Sequence, residues 1–129
     1  MNREIAPSTI APPTANYAQA VLVISTTRPL YTSGVVGIRP DGTVPTGIAE
    51  QAEVVWANLI AILTEAKMTI AHVASITTYV VVDQLAALPQ VMAVRDRALQ
   101  GLRVASTLVT VPALARPEWK LEISLIAAS

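Results

Sequence analysis

A carboxylate in the middle of an apolar run is the first residue in this sequence with the makings of chemistry. From Glu118 to Ala127, Trp119, Leu121, Ile123 and Leu125 alternate with Glu118, Lys120, Glu122 and Ser124. A period of two predicts a strand with one buried face and one opposite face, and it sets Glu122 mid-strand on the polar one. Two readings fit such a residue. It is solvated or ion-paired on a sheet face, or it is a ligand-binding or catalytic carboxylate in a cleft. The single histidine, His72, falls in the linker Thr69–Ala74. A surface or capping role is its simpler reading, and a serine–histidine triad would depend on it alone. One histidine rules out a His-rich metal centre. With no cysteine, disulfides, thiolate metal sites and cysteine nucleophiles are excluded as well.

The elements that must position Glu122 follow from the patterning. Val104–Val111 is a strand rich in Val, Thr and Leu, joined to the Glu118–Ala127 strand by a proline-containing turn. Asn2–Ala6 reads as a short edge strand. Pro7, Pro12 and Pro13 keep the next segment extended and irregular, because proline fixes φ and removes a donor. Tyr17 follows that rigid run. Ala20–Ser25 and Pro29–Ile38 read as a hairpin of two strands. Gly34 and Gly37, inside the second, mark a bulge or a close approach by a ligand or another backbone. Arg39–Gly47 is a loop dense in Pro, Gly and Asp.

Ile48–Met68 is the strongest helical signal. Ile48, Ala52, Val55, Leu59, Ile62, Leu63 and Ala66 form one stripe, with Thr46 as N-cap and Gln51, Asn58 and Glu65 on the polar side. Ser75–Val82 is a further strand. A second helix, about Leu85–Leu99, has Pro89 in its first turn and Gly101 as the C′ residue. The order β-β-β-α-β-α-β-β predicts an α+β two-layer sandwich, a mixed β-sheet with two helices on one face, in a single domain over 1–129.

Composition bears on the uncovered face. Hydrophobic residues make up 53% and charged residues only 14%. Two helices cannot cover both faces of the sheet, so self-association is expected to bury the other. The formal net charge is +0, with Lys+Arg and Asp+Glu at 9 each, and no cationic cluster offers a footprint for nucleic acid. No apolar run approaches the roughly 18 residues of a membrane span. The N-terminus lacks the charged-then-apolar shape of a signal peptide, so a cytoplasmic location is expected.

With its layout and motifs together, the chain resembles the Rid family (YjgF-like reactive intermediate deaminases). The resemblance rests on APPTANYAQAV at Ala11–Val21, LYTSG at Leu30–Gly34, the Gln51…Asn58-Leu59 pattern, ITTYVVVD at Ile76–Asp83 and LARPEWKLEISLIA at Leu114–Ala127. It implies a chorismate-mutase-like fold and a homotrimer with ligand clefts between subunits. It also implies a small-molecule partner, no cofactor, and hydrolysis of reactive imines or enamines such as 2-aminoacrylate. Carried over residue by residue, the family tyrosine matches Tyr17, the Ser-Gly that lines the cleft matches Ser33 and Gly34, and the water-positioning glutamate matches Glu122.

The family's carboxylate-clamping arginine does not carry over. Ser106 aligns with it, or Thr107 if the register shifts by one, and the proline before it is absent. Met92 stands where the second helix usually has an asparagine, Ala15-Asn16 replaces Gly-Pro before the tyrosine, and Val35 replaces the glutamine after Ser-Gly. A charge-assisted fork is worth about twice a neutral hydrogen bond, so a substrate held mainly by its carboxylate should bind poorly. Arg103, three residues from Ser106, should face the other way, and Arg116 in the turn could reach in only from a neighbour. The sequence thus supports two functions: a deaminase or hydrolase for a small imine, enamine or amide-like metabolite, or a non-catalytic metabolite-binding trimer. Ribonuclease activity, ascribed to some relatives, is disfavoured by the neutral charge.

Overall fold

The computed structural model describes residues 1–129. Strand β7 (Leu121–Ala128) is the centre of the main sheet. On one side it pairs antiparallel with β3 (Pro29–Tyr31) and β4 (Val35–Val36), on the other with β5 (Val73–Val81). Strand β6 (Ala105–Val111) adds parallel to β5, giving the order β3-β7-β5-β6. The strands flanking the proline-containing turn, β6 and β7, are therefore not neighbours, because β5 lies between them.

Strand parity decides which side chains meet the helices. Ile76, Thr78 and Val80 of β5 and Leu121, Ile123 and Leu125 of β7 are buried on one face. Helices α1 (Ile48–Glu65) and α2 (Leu88–Ala98) pack there, and Val55, Leu59, Leu63, Val91 and Val94 complete a core of 18 buried residues. The sheet's other face has no helix. It carries Tyr31, Thr77, Tyr79, Thr107, Val109, Glu122, Ser124 and Ile126, of which Tyr31 is 70% exposed and Val109 and Ile126 are each 40% exposed. Apolar and neutral side chains thus dominate an uncovered surface, as the composition implied.

Several local expectations are corrected. Strand β2 (Ala20–Val23) does not form a hairpin with β3. It pairs antiparallel with β1 (Asn2–Ile5) in a separate two-stranded ribbon. The stretch Pro29–Ile38 is broken into β3 and β4, because four steps from Tyr31 to Val35 oppose only three from Ile126 to Ile123. One extra residue is thus accommodated beside Ser33-Gly34, the bulge foreseen there. Helix α1 starts from Gly47, which has no side-chain cap, rather than Thr46. It ends at Glu65 in a Schellman turn, where Lys67 takes φ 60 and the Met68 N–H reaches the Leu63 carbonyl. At the end of α2, Gln100 takes the left-handed C′ position and Gly101 follows it.

Gln51 is fully buried, not solvated. Its amide donates to the carbonyls of Pro45 and Glu118 at 2.8 Å each, and its oxygen accepts from the Lys120 N–H at 2.9 Å. It thereby fixes the entry to β7 against α1. Gly37 is next to it, and a Cβ there would fall within 3.0 Å of the Gln51 backbone. His72 caps: its Nδ1 accepts from the Thr69 N–H at 2.9 Å, inside a capping box that opens a short 3-10 turn. No helix is long and apolar enough to cross a membrane.

Candidate active site

Glu122 lies on the open face of β7, directly between Val36 of β4 and Tyr79 of β5. Its carboxylate is half-buried and makes no hydrogen bond or ion pair within the chain, so its acceptor capacity is free. Gly34 makes room for it: a Cβ at Gly34 would stand 2.8 Å from Glu122 Cγ and closer still to the carboxylate. Gly34 does mark a close approach, but the group that comes close is a side chain of the same chain and not the expected ligand or backbone. Ser33 is exposed beside it. Glu122, Ser33 and Gly34 therefore form one wall, built where the bulge interrupts β3 and β4.

Ser106 and Thr107, the two residues that the resemblance sets against the family's arginine, separate by parity. Ser106 pairs with Ile76, which pairs with Leu125, so Ser106 is on the helix-facing side. Thr107 pairs with Thr77, which pairs with Ser124, so Thr107 shares the open face with Glu122 and is exposed. The structure thus separates Ser106 from Glu122 and leaves Thr107 as the residue of β6 that looks the same way. Met92 of α2 packs against the core on the helix side and does not join the Glu122 wall.

Tyr17 is placed by a dense set of contacts at the start of β6. The Ala18 N–H donates to the Val104 carbonyl at 2.8 Å, and Ala18 bridges Ala105. Arg103 donates to the Tyr17 carbonyl from Nε at 3.2 Å and from Nη2 at 2.9 Å, and it pairs with Glu4 at 3.2 Å. These bonds occupy Arg103 away from Glu122. Arg116 stacks over Trp119, its guanidinium carbon 5.6 Å from the ring centroid. Within one chain the Tyr17 segment borders β6, and both β6 and β5 stand between it and β7. Three strand spacings amount to about 14 Å, so Tyr17 and Glu122 of the same chain cannot hold one small molecule.

Tyr79 was missed by sequence reasoning. Its side chain lies on the open face opposite Glu122, where directly paired Cβ atoms are about 5 Å apart. The signal was present in Ser75–Val82, where Thr77 and Tyr79 alternate with buried Ile76, Thr78 and Val80, but an apolar run hides its polar parity. Far from the site, the Thr43 hydroxyl and N–H and then the Arg39 charge hold the Asp41 carboxyl below its ordinary value of 3.8, closing the loop before α1.

None of the five cavities on the chain is lined by Glu122, Tyr17 or Thr107. The candidate site is one wall on an open sheet and needs a second wall to enclose a ligand. No group of His, Asp or Glu is arranged to hold a metal ion.

These features define a two-layer α+β protein with a free carboxylate on an uncovered sheet face. The family model described as Endoribonuclease L-PSP matches residues 8–129, and the chain belongs to that family, which includes the Rid proteins. YyfB, a protein of the conserved Rid family from Yersinia pestis, is 30% identical, with 99% of this chain and 98% of that chain covered and a TM-score of 0.90. TM0215 from Thermotoga maritima is 28% identical over 100% and 98% of the two chains, with a TM-score of 0.73. TdcF from Escherichia coli, solved with bound serine, is 25% identical over 96% and 93%, with a TM-score of 0.69. Among curated proteins no relative matches the chain.

Proposed function

We propose that the protein hydrolyses a small imine or enamine in a site formed between subunits of a homotrimer. Glu122 positions the water and Tyr17 is supplied by the neighbouring subunit. The observation that carries this reading is the free, half-buried Glu122 carboxylate against Gly34, on a sheet face that no helix covers. The separation of Tyr17 from Glu122 within one chain supports the intersubunit arrangement, and the serine bound to TdcF supports a small-molecule ligand.

In this reading an enamine first tautomerises to its imine. Water held by Glu122 adds to the imine carbon, so a C–O bond forms while one water proton passes by way of the carboxylate to the nitrogen. The resulting carbinolamine then loses its remaining hydroxyl proton to the same carboxylate. The C–N bond breaks, the proton goes to the departing nitrogen, and ammonia and the carbonyl compound leave. The Tyr79 phenol, next to Glu122, and Ser33 donate hydrogen bonds to the polar groups of the substrate. Thr107 offers a neutral hydroxyl on the same face, at one of the two positions that the resemblance sets against the family's carboxylate-clamping arginine. The open face carries one formal charge between Tyr31 and Val109, and it is negative, which does not favour RNA phosphates there.

The test is release of ammonia from 2-aminoacrylate and from a panel of neutral imines, with wild type and Glu122→Gln compared at equal oligomeric state. Turnover of neutral imines, lost in Glu122→Gln, is expected. Full activity in that variant would remove Glu122 from the mechanism. Ligand-dependent thermal stabilisation with no product from any imine would mark a binding protein instead.

A further inference from the structure

The open face does not end at Glu122. Two residues earlier on the same side of the chain is Lys120, and two residues beyond Tyr79 is Val81, whose N–H donates to the Lys120 carbonyl at 3.0 Å. Together with Asp83, Pro112, Arg116 and Trp119, these residues line a cavity of about 260 Å³ at that end of the sheet. At a rise of about 3.4 Å per residue, it begins roughly 7 Å along the strand from Glu122.

Its charge is unlike that of the rest of the face. Two cations, Arg116 and Lys120, meet one carboxylate, Asp83. Arg116 has no carboxylate partner: it is exposed and rests on the face of Trp119, which leaves its N–H edge free. Lys120 spends one of its three donors on the Pro117 carbonyl at 3.1 Å. Asp83 is exposed and accepts from Gln84 at 3.2 Å. An aromatic floor, a planar guanidinium fork and an ammonium suit a carboxylate on a short carbon chain.

We propose that this cavity binds the distal carboxylate of the substrate, so that the protein acts on imines carrying a second anionic group several bonds from the C=N carbon. The inference rests on the imine-hydrolase reading. It places the anion contact at the end of the substrate remote from the reacting carbon, where Arg116 and Lys120 stand, instead of beside that carbon. A dicarboxylic 2-imino acid would then place its C=N carbon against Glu122 and its far carboxylate between Arg116 and Lys120.

The experiment compares 2-iminoglutarate with its 5-methyl ester, each generated in the assay by an amino-acid oxidase, on wild type and on Arg116→Gln/Lys120→Gln. The readout is discrimination between acid and ester. Wild type is expected to show a KM about tenfold or more lower for the acid, the worth of one charge-assisted contact. The double variant is expected to lose that preference, and Arg116→Lys to recover part of it. Equal KM values for acid and ester in wild type, or a preference that survives in the double variant, would overturn the proposal while leaving imine hydrolysis intact. Glutarate binding by calorimetry separates the two ideas if no imine is turned over. Binding weakened about tenfold in the double variant but kept in Glu122→Gln supports the cavity even though the hydrolase reading has failed. Glutarate binding that the double variant leaves unchanged contradicts it.

Discussion

Gly34 and Glu122 share one small volume: a Cβ on Gly34 would come within 2.8 Å of Glu122 Cγ and closer to the carboxylate. The carboxylate therefore owes its position to a missing side chain on the neighbouring strand segment. Gly34 itself is exposed and its φ is not in the left-handed region, so alanine meets no backbone strain there. Gly34→Ala is expected to keep its stability within about 1 kcal/mol, as surface substitutions do. It is expected to lower kcat about 100-fold, the effect of displacing a reacting group by an ångström. Urea unfolding and steady-state kinetics on the same preparation check both halves.

Strand parity yields a second prediction. The resemblance implies an arginine on β6 that this sequence lacks, and it offers Ser106 or Thr107 as its place. Only Thr107 shares a face with Glu122. Thr107→Arg is expected to raise kcat/KM for 2-aminoacrylate at least about tenfold by restoring a charge-assisted contact. Ser106→Arg points a cation at the helix layer and is expected to cost stability without that gain. A gain from Ser106→Arg alone would show that β6 is read in the wrong register.

The Ser106 and Thr107 case shows what could be read before the structure and what could not. Periodicity exposed the α1 stripe and the β5 and β7 strands, because burial on one face leaves a repeating pattern. The resemblance identified the fold and pointed to Glu122. Long-range pairing leaves no such trace. Nothing in Ala20–Val23 says that its partner is Asn2–Ile5 rather than the next strand. A one-residue alignment choice on β6 flips a side chain through the sheet, and sequence cannot resolve that flip. Tyr79 was hidden for the opposite reason, since a strand buried on one face and mostly apolar on the other reads as apolar throughout.

Gln51 illustrates a further limit, because a glutamine beside an apolar stripe reads as surface. In the fold its side chain makes three hydrogen bonds at zero exposure, one of them to the Lys120 N–H just before β7. Gln51→Leu is expected to destabilise the protein by about 3 kcal/mol, at about 1 kcal/mol per net bond lost with the buried backbone groups left unpaired. Chemical denaturation measures it. A change below about 0.5 kcal/mol would mean that water replaces all three partners.

In the proposed mechanism the site needs two subunits, with Glu122 from one and Tyr17 from the next. Mixed oligomers test it most directly. Tyr17→Phe and Glu122→Gln are each expected to be inactive, or nearly so, as homo-oligomers. Unfolded together and co-refolded, they are expected to recover turnover, because some interfaces then pair an intact Glu122 with an intact Tyr17. A mixture as inactive as its components, with subunit exchange verified by mass spectrometry, would contradict the shared site.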